Sequence, residues 1–313
     1  MEVVFISIFD CRIRHRGPDW SGCIISGNNI FCHERLAIVG VESGAQPILS
    51  QDEKLILTVN GEIYNYKVLK NKLLKDCTFV TYSDCEVIMH LYKKLGGEEF
   101  VKHLDGMYSF VLYDVEQKRF LAARDPIGIT TLYYGFNTSN PETYYFASEM
   151  KCLNDICDTI RAFPPGHLYD SAKGTFERWY QPSWGNESLV PTTPVDYKAI
   201  RRTLVKAVKK RLMSEVPYGV LLSGGLDSSL IAAIAARETR KMLKHQLEDE
   251  AEDDEADAAA AAGNGASAAS RKITNGGGTD GNSSGNSSGD EQTEAYWPRL
   301  HSFSIGLPDK YIT

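Results

Sequence analysis

The chain has 313 residues, room for two domains, with 42% apolar residues and a formal net charge of −7. That charge is uneven: Gln246 to Glu294 holds 12 acidic and 2 basic residues, which leaves the remainder slightly basic and gives no reason to expect nucleic acid. No apolar run approaches membrane-spanning length, and seven cysteines without a CxxC pair fit a reduced, cytoplasmic protein.

Val3 to Phe9 (VVFISIF) is a short apolar run preceded by Glu2 rather than a basic stretch, so it reads as a β-strand and not a leader. Arg14 to Gly22 (RHRGPDWSG) concentrates charge, Gly, Pro and Trp in a functional loop or, equally, a surface turn anchored by one Trp. His33 to Val39 (HERLAIV) joins charge to a strand-like apolar tail, and Gly44-Ala45-Gln46-Pro47 makes the next turn. Leu55 to Val59 predicts a strand ending on Asn60-Gly61-Glu62, where the Asn-Gly pair also fits a hairpin turn.

Helices are predicted over Tyr64 to Lys75 and from Ser83 to about Lys94. Ser83 suits the N-cap and Glu86 the capping-box position, while Asp84 is compatible with a plain first-turn acid. Met107 to Asp114 and Arg119 to Ala123 predict paired strands around a Val-Glu-Gln-Lys turn, and Tyr133-Tyr134 with Tyr144 to Ala147 predict more. Many strands, few amphipathic helices and no βα alternation describe an α+β layered domain through about Tyr180.

Beyond a Pro- and Gly-containing linker the pattern changes. A helix from about Val195 to Met213 leads into an apolar strand, Tyr218 to Leu222, and Leu230 to Lys244 favours helix again. Between strand and helix lie Ser223, Gly224, Gly225, Asp227, Ser228 and Ser229. Glycines there let the backbone approach a ligand, and free N–H groups at a helix start attract anions, which makes a phosphate cradle. The same residues also fit an ordinary βα loop with a Ser/Asp cap. From about Gln246 the composition turns acidic, then Ala-rich, then Gly/Ser-rich, and a disordered insertion is expected over 246–294. Order is expected to return at Tyr296, with His301 to Pro308 as the next strand and turn.

The string VLLSGGLDSS resembles the pyrophosphate loop of ATP pyrophosphatases. Together with RHRGPDWSG, HERLAIV, GAQP, VNGEIYN, SDCEVI, LDGMYSF, ARDPIG, ASEM and WPRLHSFSIGLP, in that order, it is similar to the glutamine-hydrolysing asparagine synthetase family. The likeness covers about Arg12 to Lys241 and Tyr296 to Pro308. It implies an N-terminal-nucleophile αββα sandwich, a class II glutamine amidotransferase, over 1–183. A linker over 184–195 would follow, then the start of a Rossmann-like ATP pyrophosphatase domain over 196–313.

The implied activity is amidation of aspartate, through a β-aspartyl adenylate, by ammonia drawn from glutamine, with ATP and Mg²⁺. The partners are then small molecules, with neither nucleic acid nor membrane, and a homodimer is a further expectation. By the resemblance, Arg35 meets the α-carboxylate of glutamine through a bidentate fork, near Val39. Asn60 and Gly61 form the oxyanion hole, and Glu62 with Asp84 holds the α-amino group. Leu222 and Ile305 line the adenosine site, Ser223, Gly224, Gly225 and Ser228 hold phosphates, and Asp227 helps hold Mg²⁺.

Two departures stand out. The family's nucleophile is a cysteine exposed as the first residue, with its own α-amine as base. Here Met1 is followed by Glu2 and Cys11 lies inside the chain, so the nucleophile is expected to be absent. The synthetase half is expected to be cut short after Pro308, which leaves the chain as written inactive. The remaining readings are a glutamine-binding or regulatory module without catalysis, and another adenylating amidotransferase of the β-lactam synthetase type.

Overall fold

The computed structural model of the chain describes residues 2–5, 11–186, 188, 192–263 and 300–303. Among the described residues twelve strands belong to the first unit: β1 (Glu2–Phe5), β2 (Trp20–Ser26), β3 (Asn29–Arg35), β4 (Ile48–Leu49), β5 (Leu55–Ile63), β6 (Gly106–Asp114), β7 (Arg119–Arg124), β8 (Tyr133–Asn137), β9 (Asn140–Ala147), β10 (Thr159–Ala162), β11 (His167–Asp170) and β12 (Thr175–Arg178). They form two six-stranded sheets, ordered β10-β8-β9-β1-β3-β2 and β12-β11-β7-β6-β5-β4.

The period-2 pattern of β5 and β6 explains the layering. Leu55, Leu57 and Val59, with Tyr108, Phe110 and Leu112, pack beneath helices α1 (Tyr66–Lys72) and α2 (Val87–Leu95). Their neighbours Ile56, Val111 and Tyr113 face the other sheet and meet Phe31, Tyr134 and Phe146 there. The order helix, sheet, sheet is that of the expected sandwich. Over the outer face of the sheet that holds β1, β3 and β9 the described residues place 3-10 turns, Cys11–Arg16 and Met150–Cys152, covering Ile13, Ala147 and Leu153.

Several local expectations change. β5 does not stop at a hairpin turn on Asn60-Gly61; it pairs with β6 without a break from Leu55↔Asp114 to Ile63↔Gly106. The glycine serves close strand approach instead: at φ 141°, a Cβ on Gly61 would lie 2.0 Å from the Met107 carbonyl oxygen. Trp20 to Gly22 open β2 rather than extending a loop, because Trp20 pairs with Arg35 across the sheet. β3 ends at Arg35, so Leu36 to Val39 form a loop and not a strand tail. Of the apolar run Val3 to Phe9, residues 6–9 lie outside those described. Ser83 does cap the helical turn Asp84–Glu86, its side chain accepting the Cys85 N–H.

Helix α3 (Tyr197–Lys209) is capped by Asp196 and was expected to open the second domain. Its end carries the Lys210–Asp105 ion pair at 2.6 Å, and Met213 packs on the core beneath α1 and α2. The compact units divide as Met1–Val216 and Pro217–Thr313.

In the second unit β13 (Gly219–Leu221) pairs parallel with β14 (His301–Phe303), and helix α4 spans Leu226–Gly263. α4 outruns its expected end near Lys244 and takes in 246–263, the opening of the segment expected to be disordered. Glu and Ala are strong helix formers, and that preference carries the helix through the acidic and Ala-rich run. Residues 264–294 of that segment lie outside those described.

Candidate functional site

A cavity of about 420 Å³ opens in the first unit, and all six residues assigned there from the sequence line it: Arg35, Val39, Asn60, Gly61, Glu62 and Asp84. They come from four places: the end of β3, the loop after it, the end of β5, and the turn that opens α2. Distant segments thus contribute single polar side chains to one concave site.

Arg35 is buried, and its guanidinium is held by a rim of carbonyls. Nη1 donates to Val41 O at 2.9 Å, and Nη2 donates to Gly40 O at 2.7 Å and Val39 O at 3.2 Å. Part of its fork is therefore spent on protein. Burial lowers its pKa, opposed by the nearby acids Asp19, Glu62 and Glu215.

Asp84 is fully buried and accepts the Ile63 N–H on Oδ2 at 2.5 Å. It stands beside Glu62, whose Oε2 is buried without a hydrogen-bond partner. Burial first, and the Asp84 charge second, push Glu62 well above the carboxylate range; burial raises Asp84 too. For both carboxyls the shift favours the protonated form.

Asn60 donates from Nδ2 to Ser148 Oγ at 3.2 Å, so its amide is oriented from across the sandwich. The turn carrying Asp84 is braced from behind by Glu86, whose carboxylate accepts the Val80 and Thr81 N–H groups at 2.8 and 2.7 Å.

Sequence reasoning missed several lining residues. Gln46 donates through Nε2 to Val59 O at 3.0 Å and accepts the Val59 N–H at 2.7 Å, acting as a piece of strand beside β5. His33 is drawn down to about 4 by burial and the Arg35 charge, so its imidazole is neutral. Gln46 and Ser148 sit in the strings GAQP and ASEM, which carried the resemblance without a role for either. Cys85 is the one lining thiol among the described residues. Burial and the adjacent Asp84 and Glu62 raise its pKa well above the usual thiol value, which keeps it protonated and poorly nucleophilic. Cys11 begins a 3-10 turn, and Met1 lies outside the described residues.

In the second unit the Gly-rich turn precedes α4 as expected. Gly224 takes φ 82°, and a Cβ built on it would meet nothing within 4 Å, so the loop faces open space. The first helical return bond there runs from Ser229 N to Gly225 O at 3.2 Å, so the amides of Leu226 to Ser228 precede the ladder. Ser223 and Ser228 pair their hydroxyls at 2.9 Å, and Leu222 N donates to Phe303 O at 2.7 Å. Asp227 lies in the first turn as the loop's only carboxylate, matching a cation that takes one or two carboxylates and completes its shell with phosphate and water. Ile305 lies outside the described residues.

A family described as glutamine amidotransferase domain matches residues 4–169, and one described as asparagine synthase matches residues 199–276. A Schizosaccharomyces pombe protein named probable asparagine synthetase (glutamine-hydrolyzing) is 52% identical over 297 residues, 95% of this chain and 46% of that protein. Asparagine synthetase (glutamine-hydrolyzing) 1 of Saccharomyces cerevisiae is 62% identical over 230 residues, 74% of this chain and 40% of that one. An Arabidopsis thaliana asparagine synthetase (glutamine-hydrolyzing) 2 is 55% identical, again over 230 residues, 74% of this chain and 39% of its own length. The chain thus spans less than half the length of these curated relatives.

Proposed function

We propose, for a chain that belongs to the glutamine amidotransferase family, that its cavity binds L-glutamine as amide donor for the ATP-dependent conversion of aspartate to asparagine. The observation that carries this reading is the convergence of a guanidinium, an amide donor and two carboxyls on one cavity.

Each group answers one part of an α-amino acid amide. Arg35 attracts the α-carboxylate through the N–H groups its carbonyl rim leaves free. Glu62 and Asp84 receive the α-ammonium, whose charge offsets the burial that raises both carboxyls and the Asp84 charge that further raises Glu62. Asn60 Nδ2 and the Gly61 N–H act on the side-chain carbonyl oxygen, where preorganised donors stabilise negative charge as it develops. In the second unit, Ser223 to Ser228 hold phosphates, Leu222 and Ile305 the adenosine, and Asp227 a Mg²⁺ ion. ATP, when bound, supplies activation of the acceptor carboxylate. A cytoplasmic setting and a homodimer belong to the same proposal; no helix among the described residues is long and apolar enough to cross a membrane.

The test is calorimetry of the chain with L-glutamine. Binding that Arg35→Ala and Asp84→Asn each remove supports the assignment, and absence of binding by the unaltered chain overturns it. A second reading, recognition of glutamine without its cleavage, is favoured by Cys85, the only lining thiol among the described residues and a protonated one. Release of ammonia from glutamine by the chain would exclude it.

A further inference from the structure

Glu215 lies just beyond the end of α3, in sequence well separated from every residue of the cavity. Its backbone N–H donates to Ile38 O at 3.0 Å, and its Oε2 accepts the Val41 N–H at 3.1 Å. These two bonds grip both ends of the loop that follows β3. The N–H of Val41 belongs to the same peptide group as the carbonyl of Gly40, and that carbonyl accepts Arg35 Nη2 at 2.7 Å. One peptide unit is therefore held between a carboxylate at its N–H end and a guanidinium at its oxygen end. Charged partners at both ends polarise the peptide in the same sense and strengthen both bonds.

The loop has little alternative. Gly40 adopts φ 63°, and a Cβ there would stand 2.6 Å from Ser83 N, so the chain passes against the segment that carries Asp84. That left-handed residue is what lets three consecutive carbonyls, Val39, Gly40 and Val41, converge on Arg35.

We propose that Glu215 is a positioning residue for the cavity: it orients the Gly40–Val41 peptide, whose carbonyl sets Arg35 for the α-carboxylate of the bound amino acid. The proposal rests on the glutamine reading above. Glu215 acts through Arg35 and touches no substrate. A merely structural Glu215, fastening the end of α3, would affect folding without touching recognition of one substrate group.

The experiment measures Kd for L-glutamine and for its α-amide, L-glutaminamide, on the full chain by calorimetry. Their ratio reports carboxylate recognition and does not change with the fraction of protein folded. Glu215→Ala is expected to lower the preference for L-glutamine about tenfold, the loss of one charge-assisted bond. Glu215→Gln, which keeps shape and an acceptor oxygen, is expected to lower it about threefold and decides the matter should the alanine variant not fold. A ratio unchanged from the unaltered chain in a folded variant overturns the role of Glu215 and leaves the glutamine reading standing. Failure of the unaltered chain to bind L-glutamine overturns both.

Discussion

Asn60 at the end of β5 and Ser148 just past β9 meet at 3.2 Å, Nδ2 donating to Oγ, and this one bond fixes the amide that faces the cavity from β5. Ser148 is half-buried. Ser148→Ala is therefore expected to weaken L-glutamine binding about three- to tenfold, as one hydrogen bond does, while leaving the urea midpoint near its starting value. Calorimetry beside an equilibrium unfolding curve checks both halves; a large loss of stability with unchanged affinity would count against it.

Gly61 tests the backbone of the same corner. A side chain there would need φ near 141° and would press within 2.0 Å of Met107 O and 2.6 Å of Tyr108 Cα, both backbone atoms that cannot rotate away. Gly61→Ala is expected to cost at least ~3 kcal/mol, through strain and a forced shift of β6. The urea midpoint and circular dichroism read this directly.

The carboxyl pair makes a prediction in pH. Folding raises Glu62 and Asp84, so the folded chain holds protons that the unfolded one releases. A carboxyl raised on folding contributes fully below its unfolded value and loses that contribution as pH climbs through the raised one. The ligand-free chain should thus lose stability from about pH 5 upward, and Glu62→Gln should flatten the slope. His33, lowered to about 4, has the opposite sign: it costs stability as pH falls below its ordinary value of 6.5. Urea midpoints from about pH 5 to 8 on both proteins test this, as the linkage predicts equal slopes only if Glu62 is unperturbed. Binding of an α-ammonium should also expel a carboxyl proton, so calorimetry in buffers of different protonation enthalpy should show release at neutral pH that Glu62→Gln reduces.

Much of the cavity was legible because its residues sit in short strings whose order is distinctive: Arg35, Asn60, Gly61, Glu62 and Asp84 were each placed in it by resemblance, and all line it. What local pattern could not supply was register. Asn60-Gly61 has the composition of a turn, and only the nine-residue ladder with β6 keeps it in a strand. Glu215 was invisible for the same reason, since Val41, whose N–H its carboxylate accepts, lies 174 residues away. The length of α4 was hidden on other grounds: its acidic and Ala-rich run buries little apolar surface, yet Glu and Ala favour helix strongly enough to extend it.

Gln46 closes the set, because its side chain replaces a missing strand. β4 is two residues long, and beyond it the Val59 N–H and C=O face Gln46 rather than another backbone. Both bonds are buried, so Gln46→Ala would leave a peptide donor and acceptor unpaired at the residue just before Asn60. The expected cost is about 2–4 kcal/mol, one to two for each buried group left unpaired. Gln46→Glu keeps an acceptor for the Val59 N–H but sets a carboxylate against the Val59 carbonyl, so it should recover the fold at acid pH, where the carboxyl can donate, and lose it again toward neutrality. Urea unfolding of the two variants across that range measures the difference; equal stability of Gln46→Ala and the parent would mean that water replaces both bonds at no cost.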